Sequence, residues 1–330
     1  PRLIRGRFDS LPRMIQQFAH TVRGYVTDFG GIVRAGRWPS VFPTILMYHR
    51  VGPADGAIGP EAYTVSRDEL AADLERLTTH ATVVPIGRLV DWIAGNGTLP
   101  RDAVVLTFDD GYRDVATTVV PLLERFEAPA TVYVSTGCVA NGRSPFAFRL
   151  LAALRDRDSV SVRWDGDRIE AELSTAADVR RAYDRLYATS KWAASEERSR
   201  LLSRLGADDP EPIPMLRPDD VAALSASELV TIGLHGYGHV PLAARDASAV
   251  RRDLEEADRL LTDWTGSPPD HFSYPYGSVG SAARRIVADR YASAAGTDAR
   301  RVRPRDWHRP HELPRFDGAD RTQWGDTLPG

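Results

Sequence analysis

Val104-Val105-Leu106-Thr107-Phe108-Asp109-Asp110-Gly111-Tyr112 is an apolar run that stops on two adjacent carboxylates and a glycine. Its length and its β-branched and aromatic content predict a buried strand. Taken alone, Asp-Asp-Gly is a turn, with carboxylates that suit solvent and a glycine that accepts positive φ. Position changes that reading. In a parallel set of strands, functional side chains collect at the carboxyl ends. Two neighbouring carboxylates can then divide the work, one holding a metal while the other accepts a proton.

The same pattern recurs on either side. Thr44–Tyr48, Thr131–Val134, Val230–Leu234 and Phe272–Tyr274 are short apolar runs that end in polar or glycine residues. Helical spacing fills intervals between them at Arg67–Leu77, Thr117–Phe126 and Ala249–Trp264. Strands alternating with helices predict a parallel sheet or barrel covered by helices. From about residue 141 to 225 the rhythm breaks into an Arg-, Asp-, Glu- and Ala-rich stretch. Helical spacing at Val179–Tyr187 and Glu196–Leu205 marks it as a mainly helical insertion between two strands, not a separate catalytic domain. Ahead of the first strand, residues 1–43 form a basic leader, with seven arginines against Asp9 and Asp28. Leu11, Met14, Ile15, Phe18 and Val22 recur there at helical spacing. They suit an amphipathic helix packed outside the main domain or, alternatively, peripheral contact with an anionic membrane or a partner.

Composition narrows the function classes. The 330 residues are 42% hydrophobic and 26% charged, enough for one large domain with a buried core. A formal net charge of −3 gives no overall basic field for nucleic acid. Cys138 is the only cysteine, which excludes an intramolecular disulfide and a thiolate metal cluster. Lys191 is the only lysine, a bias toward arginine read as compositional and not functional. No run approaches the roughly 20 apolar residues that span a bilayer. Pro1–Gly6 have neither an initial Met nor signal-peptide character, as expected of a chain that begins after a removed segment. One cysteine fits the cytoplasm and the basic leader fits a membrane periphery, so the compartment stays open.

Three further stretches carry chemistry. Ile232-Gly233-Leu234-His235-Gly236-Tyr237-Gly238-His239 ends a strand in two histidines, with glycines that let the chain turn between them. A lone pair of this spacing is weak evidence. Joined by a carboxylate from another strand end, it forms a facial triad for a divalent ion with positions left for water and substrate. Phe272-Ser273-Tyr274-Pro275-Tyr276-Gly277 suits a groove wall that presents backbone N–H groups, or a simple strand-ending turn. Ile45-Leu46-Met47-Tyr48-His49 places a histidine directly after a buried strand, on the rim shared by the others.

In this order, the four segments resemble the polysaccharide deacetylase family, also called the NodB-homology or carbohydrate esterase family 4 domain. The resemblance covers roughly residues 44 to 320, outside most of the insertion. It implies a distorted (β/α) barrel of about seven strands. Carried across residue by residue, Asp109 matches the catalytic base. Asp110, His235 and His239 match the ligands of a divalent metal, usually zinc, with cobalt or nickel serving in relatives. Tyr276 matches a tyrosine whose backbone N–H helps hold the oxyanion. Three departures stand out. Gly236 replaces a Ser or Thr that braces the histidine loop, so a looser loop is expected. Ser273 stands where an arginine orients the base, and a C-terminal Leu-x-His that supplies the general acid is missing. Tyr48-His49-Arg50-Val51 is similar to a circularly permuted branch that includes deacetylases of poly-N-acetylglucosamine, in which the acid-bearing strand comes first. That resemblance makes His49 the general acid, with His308 and His311 as lesser candidates. Arg315, in Leu313-Pro314-Arg315, is a candidate for the missing arginine, and Asp306-Trp307 for a groove wall. The implied activity is metal-dependent deacetylation of an N-acetylated carbohydrate. The rival readings are deacylation of a small acylated metabolite and a non-catalytic sugar-binding barrel.

Overall fold

The computed structural model describes residues 42–53, 58–155, 157–206 and 213–325. The leader expected over 1–43 lies outside them as far as residue 41. The strands are β1 (Thr44–Tyr48), β2 (Arg50–Val51), β3 (Thr64–Val65), β4 (Thr82–Val83), β5 (Ala103–Phe108), β6 (Ala130–Val134), β7 (Ser159–Trp164), β8 (Asp167–Glu172), β9 (Val230–Leu234), β10 (His271–Ser273), β11 (Ser293–Ala295) and β12 (Phe316–Asp317).

Seven of them form one parallel sheet in the order β11-β10-β9-β6-β5-β1-β12, and β4 adds an eighth beside β5. The two edges of the sheet draw together at a parallel bridge between Ala295 and Leu313, which curls the sheet into a distorted (β/α) barrel. Side-chain alternation on β5 explains why it sits centrally. Val104, Leu106 and Phe108 join the main core, which includes Leu70 and Leu74 of the helix Arg67–His80. Val105 turns the other way, into a cluster with Ile45, Ala295 and Leu313. Thr107 is fully buried and donates its hydroxyl to the Leu46 carbonyl at 2.9 Å. Gly233 of β9 pairs with Tyr133 of β6, and a Cβ there would lie 2.6 Å from the Tyr133 ring. A strand glycine here makes room for that ring.

The covering helices begin where the sequence punctuates them. Ser66 and Glu69 close a capping box on Arg67–His80, and Asp246 caps Ala247–Thr265, which ends at Gly266 with φ +77°. None of the helices among the described residues is long and apolar enough to cross a membrane.

The stretch expected as an insertion contains the helices Phe146–Arg155, Ala176–Ser190, Ser195–Arg204 and Pro218–Ser225. It also holds an antiparallel hairpin, β7–β8, that helical spacing did not reveal. Its turn is Asp165-Gly166, both at positive φ, the backbone of a tight two-residue hairpin. Leu150, Leu154, Val160, Val162, Ile169, Tyr183, Leu186 and Leu201 pack into a core of their own.

Candidate active site

Five non-glycine residues have positive φ among the described residues: Asp110, Glu127, Asp165, His239 and Tyr276. Glu127 and Asp165 lie at ordinary turns, whereas Asp110 (φ 77°), His239 (φ 44°) and Tyr276 (φ 60°) line one cavity. Left-handed backbone costs a side-chain-bearing residue free energy, so three such residues in one place mark a site where structure yields to function.

The cavity lies at the carboxyl ends of the strands and measures about 560 Å³. Asp110 Oδ1 stands 3.0 Å from His239 Nε2 and 3.3 Å from His235 Nε2, and these three ligand atoms lie within 4.8 Å of one another. Asp110 Oδ2 accepts from the Tyr112 hydroxyl at 2.8 Å, while Oδ1 accepts no well-formed hydrogen bond. His235 Nδ1 lies 2.8 Å from the Ser273 carbonyl and therefore donates to it. In the neutral ring, that leaves a lone pair on Nε2, aimed at the Asp110 carboxylate. A cation placed between them would relieve two acceptors that face each other in a buried site. The donor set of two imidazoles and one carboxylate fits a divalent ion. Burial opposes ionisation of Asp110, but His239 and His235 outweigh it and hold its carboxyl well below the usual range. Burial is also the largest influence on His239 and lowers it, whereas for His235 the two aspartates outweigh burial and raise it.

Asp109 faces the same cavity but is held differently. Arg315 grips it in a fork, Nη1 to Oδ1 and Nη2 to Oδ2, both at 2.7 Å. The Ser273 hydroxyl donates to Asp109 Oδ2 at 3.2 Å and accepts from Arg315 Nη2 at 2.8 Å. Arg315 also donates to Thr107 Oγ1 and to the Gly296 carbonyl, so all five of its N–H groups are used. Its guanidinium lies 5.6 Å from the centre of the Tyr133 ring, inside the barrel. Burial would raise the Asp109 carboxyl, but the charges of Arg315 and His235 hold it below the usual carboxylate range.

His49, after β1, also lines the cavity, with its ring 5.4 Å from that of Tyr63. Its Nδ1 is buried and bonded to none of the described residues. The Tyr276 ring packs 4.7 Å from that of His239. Asp109, Asp110, His235, His239, His49 and Tyr276 thus share one cavity, and Arg315 reaches it from inside the barrel. His311 does not line it, because its Nε2 is tied to the Tyr291 carbonyl at 2.8 Å. The side chain of His308 lies outside the described residues. The groove wall expected at Asp306-Trp307 is elsewhere: Asp306 pairs with Arg300 at 2.7 Å, and Trp307 packs edge-on against Trp92.

Two supporting residues carried no signal in the sequence. Asp253, on Ala247–Thr265, accepts from the backbone N–H groups of Tyr237 and Gly238, each at 2.9 Å. Gly236 has φ +74°, and a Cβ there would meet the Asp253 carboxylate at 2.9 Å. The histidine loop expected to be loose is therefore braced from the helix behind it. Arg198, from the insertion, is buried and donates to the His239 carbonyl at 2.9 Å. Only the tertiary fold brings either residue to the loop.

The polysaccharide deacetylase family model matches residues 96–292. That span includes the Asp109-Asp110 and His235–His239 segments and leaves β1 and β12 outside. No curated protein matches the chain by sequence. Among solved structures, the de-N-acetylase from Aggregatibacter actinomycetemcomitans is similar in fold. Its TM-score is 0.55 at 16% identity, over 87% of this chain and 99% of that one. IcaB from Ammonifex degensii gives a TM-score of 0.56 at 20% identity, over 87% and 95%. The deacetylase PplD from Streptococcus pyogenes, in complex with acetate, gives 0.54 at 15%, over 88% and 99%. With a family model that spans more than half its length, this chain belongs to the polysaccharide deacetylase family.

Proposed function

We propose that the protein is a metal-dependent N-deacetylase that hydrolyses the acetamide of an N-acetylated amino sugar, releasing acetate and the free amine. The observation that carries this reading is the pairing of two differently held carboxylates in one cavity. Asp110 sits with His235 and His239, while Asp109 is locked by Arg315 and kept ionised.

In this reading Asp110, His235 and His239 hold a divalent ion, with zinc favoured and cobalt or nickel able to substitute. Such an ion, when bound, supplies Lewis-acid polarisation of the acetamide and activation of water. Asp109 accepts a proton as water adds to the carbonyl carbon, and the Arg315 fork fixes the direction from which it does so. The Tyr276 backbone N–H donates to the carbonyl oxygen as negative charge builds there; loss of one such donor costs about 3 kcal/mol. His49, across the cavity, gives a proton to the departing amine as the C–N bond breaks. The placement of His49 directly after the first strand of the barrel supports the permuted arrangement.

Asp109→Asn keeps the shape of the base and removes its charge. We expect acetate release from an acetylated chito-oligomer to fall by at least about a thousandfold, with metal content retained. Turnover at the wild-type rate assigns the base elsewhere.

A further inference from the structure

The insertion carries a second concavity that the chemistry above does not use. It measures about 380 Å³ and is formed by Trp164 and Trp192, with Asp165, Glu197, Arg200 and Arg204 among its walls. Volumes of this order suit a small ligand, roughly 300–1,000 Å³ being typical. Trp192 is 43% exposed, one of two large hydrophobic side chains so open among the described residues. The other, Tyr63 at 47%, lines the main cavity. Trp164 is oriented by its indole N–H, which donates to Thr189 Oγ1 at 3.0 Å.

Lys191, the only lysine of the chain, lines the main cavity and reaches toward the second. Its Nζ lies 5.7 Å from the centre of the Tyr187 ring, on the wall of the main cavity. It lies 5.1 Å from that of Trp192, on the wall of the second. Tyr187 in turn stands 6.4 Å from Tyr276, beside the histidines. Aromatic faces therefore run from the metal-ligating cluster across the insertion. Two carboxylates and two arginines at the second cavity balance in charge, which suits a neutral polyhydroxylated ligand better than a polyanion.

We propose that this second cavity is a distal saccharide subsite. An amino-sugar chain with one residue at the cluster passes Tyr187 and Lys191 and stacks a later sugar on Trp192, where an amphipathic ring offers an apolar face and the rim offers hydrogen bonds. The inference rests on the amino-sugar reading and extends it to a substrate several sugars long.

The test measures acetate release by the metal-loaded protein on N-acetylated chito-oligomers from dimer to pentamer. We expect kcat/KM to rise about tenfold or more with length, and Trp192→Ala and Arg200→Ser each to cut the pentamer-to-dimer ratio to about threefold or less. Trp192→Phe should keep most of it. A flat length dependence, or a ratio unmoved by Trp192→Ala, overturns the subsite. If no oligomer yields acetate, the deacetylase reading fails by itself and binding then decides the subsite. Quenching of tryptophan fluorescence by the pentamer that is lost in Trp192→Ala supports it, and no such quenching overturns it.

Discussion

Arg315 leaves none of its donors idle, and that makes it the most exacting residue of the site. A guanidinium with no exposed surface is tolerated because a carboxylate, two hydroxyls and a carbonyl surround it. Removing one partner of such a pair strands the other. Arg315→Met is expected to cost about 3–5 kcal/mol in urea denaturation, with much of that returned by adding Asp109→Asn. Asp114 offers a second measurement. Burial pushes its carboxyl up to about 7, against the pull of the Val51 and Val115 backbone N–H groups and of Arg50. Its ordinary value is about 3.9, so the folded protein binds the proton more tightly than the unfolded chain. The stabilisation is complete below about pH 4 and is lost as pH rises through about 7, a change on the order of 4 kcal/mol. Asp114→Asn should flatten denaturation midpoints over that window; an unchanged slope refutes the assignment.

At the scale of elements, the site depends on helices that brace loops. The Asp253 carboxylate ties the turn between the two histidines to Ala247–Thr265. Asp253→Ala should weaken divalent-metal affinity by about 10–100-fold in a chelator competition, with only a modest loss of thermal stability. Elements differ in how far the sequence announces them. β1 and β5 are legible because a largely apolar run is what a strand buried on both faces requires, and β9 is legible because its short run ends on His235. The Asp109-Asp110 and His235–His239 strand ends follow from them. β11 is Ser-Ala-Ala and β12 is two residues long, so neither has a pattern to read. The β7–β8 hairpin carries a signal of its own in the sequence. Ser159–Trp164 alternates exposed and buried residues before Asp165-Gly166, but the charged helices around it dominate the composition. Asp253 and Arg198 look like solvated helix charges, because a brace is defined by what it reaches and that lies far along the chain.

For the whole molecule, the insertion and the barrel share the site. Arg198 spans them: besides the His239 carbonyl it donates to the carbonyls of Ser190 and Lys191, and it lies 5.8 Å from the centre of the Tyr276 ring. Arg198→Met should therefore loosen metal binding, seen by isothermal titration, although the residue lies outside the barrel. Metal affinity equal to wild type would confine Arg198 to holding the insertion together. The bridge of Ala295 to Leu313 carries a further consequence, for the order in which the protein is made. Asp110, His235 and His239 leave the ribosome well before Arg315, so these three side chains can come together while Asp109 still lacks its guanidinium. Until Leu313 docks on Ala295, the nascent sheet has open flanks at β1 and β11, each able to recruit a stray strand. Synthesis thus has a vulnerable interval that closes only when the segment carrying Leu313 and Arg315 arrives, and Asp109 gains its guanidinium partner by the same event that seals the barrel.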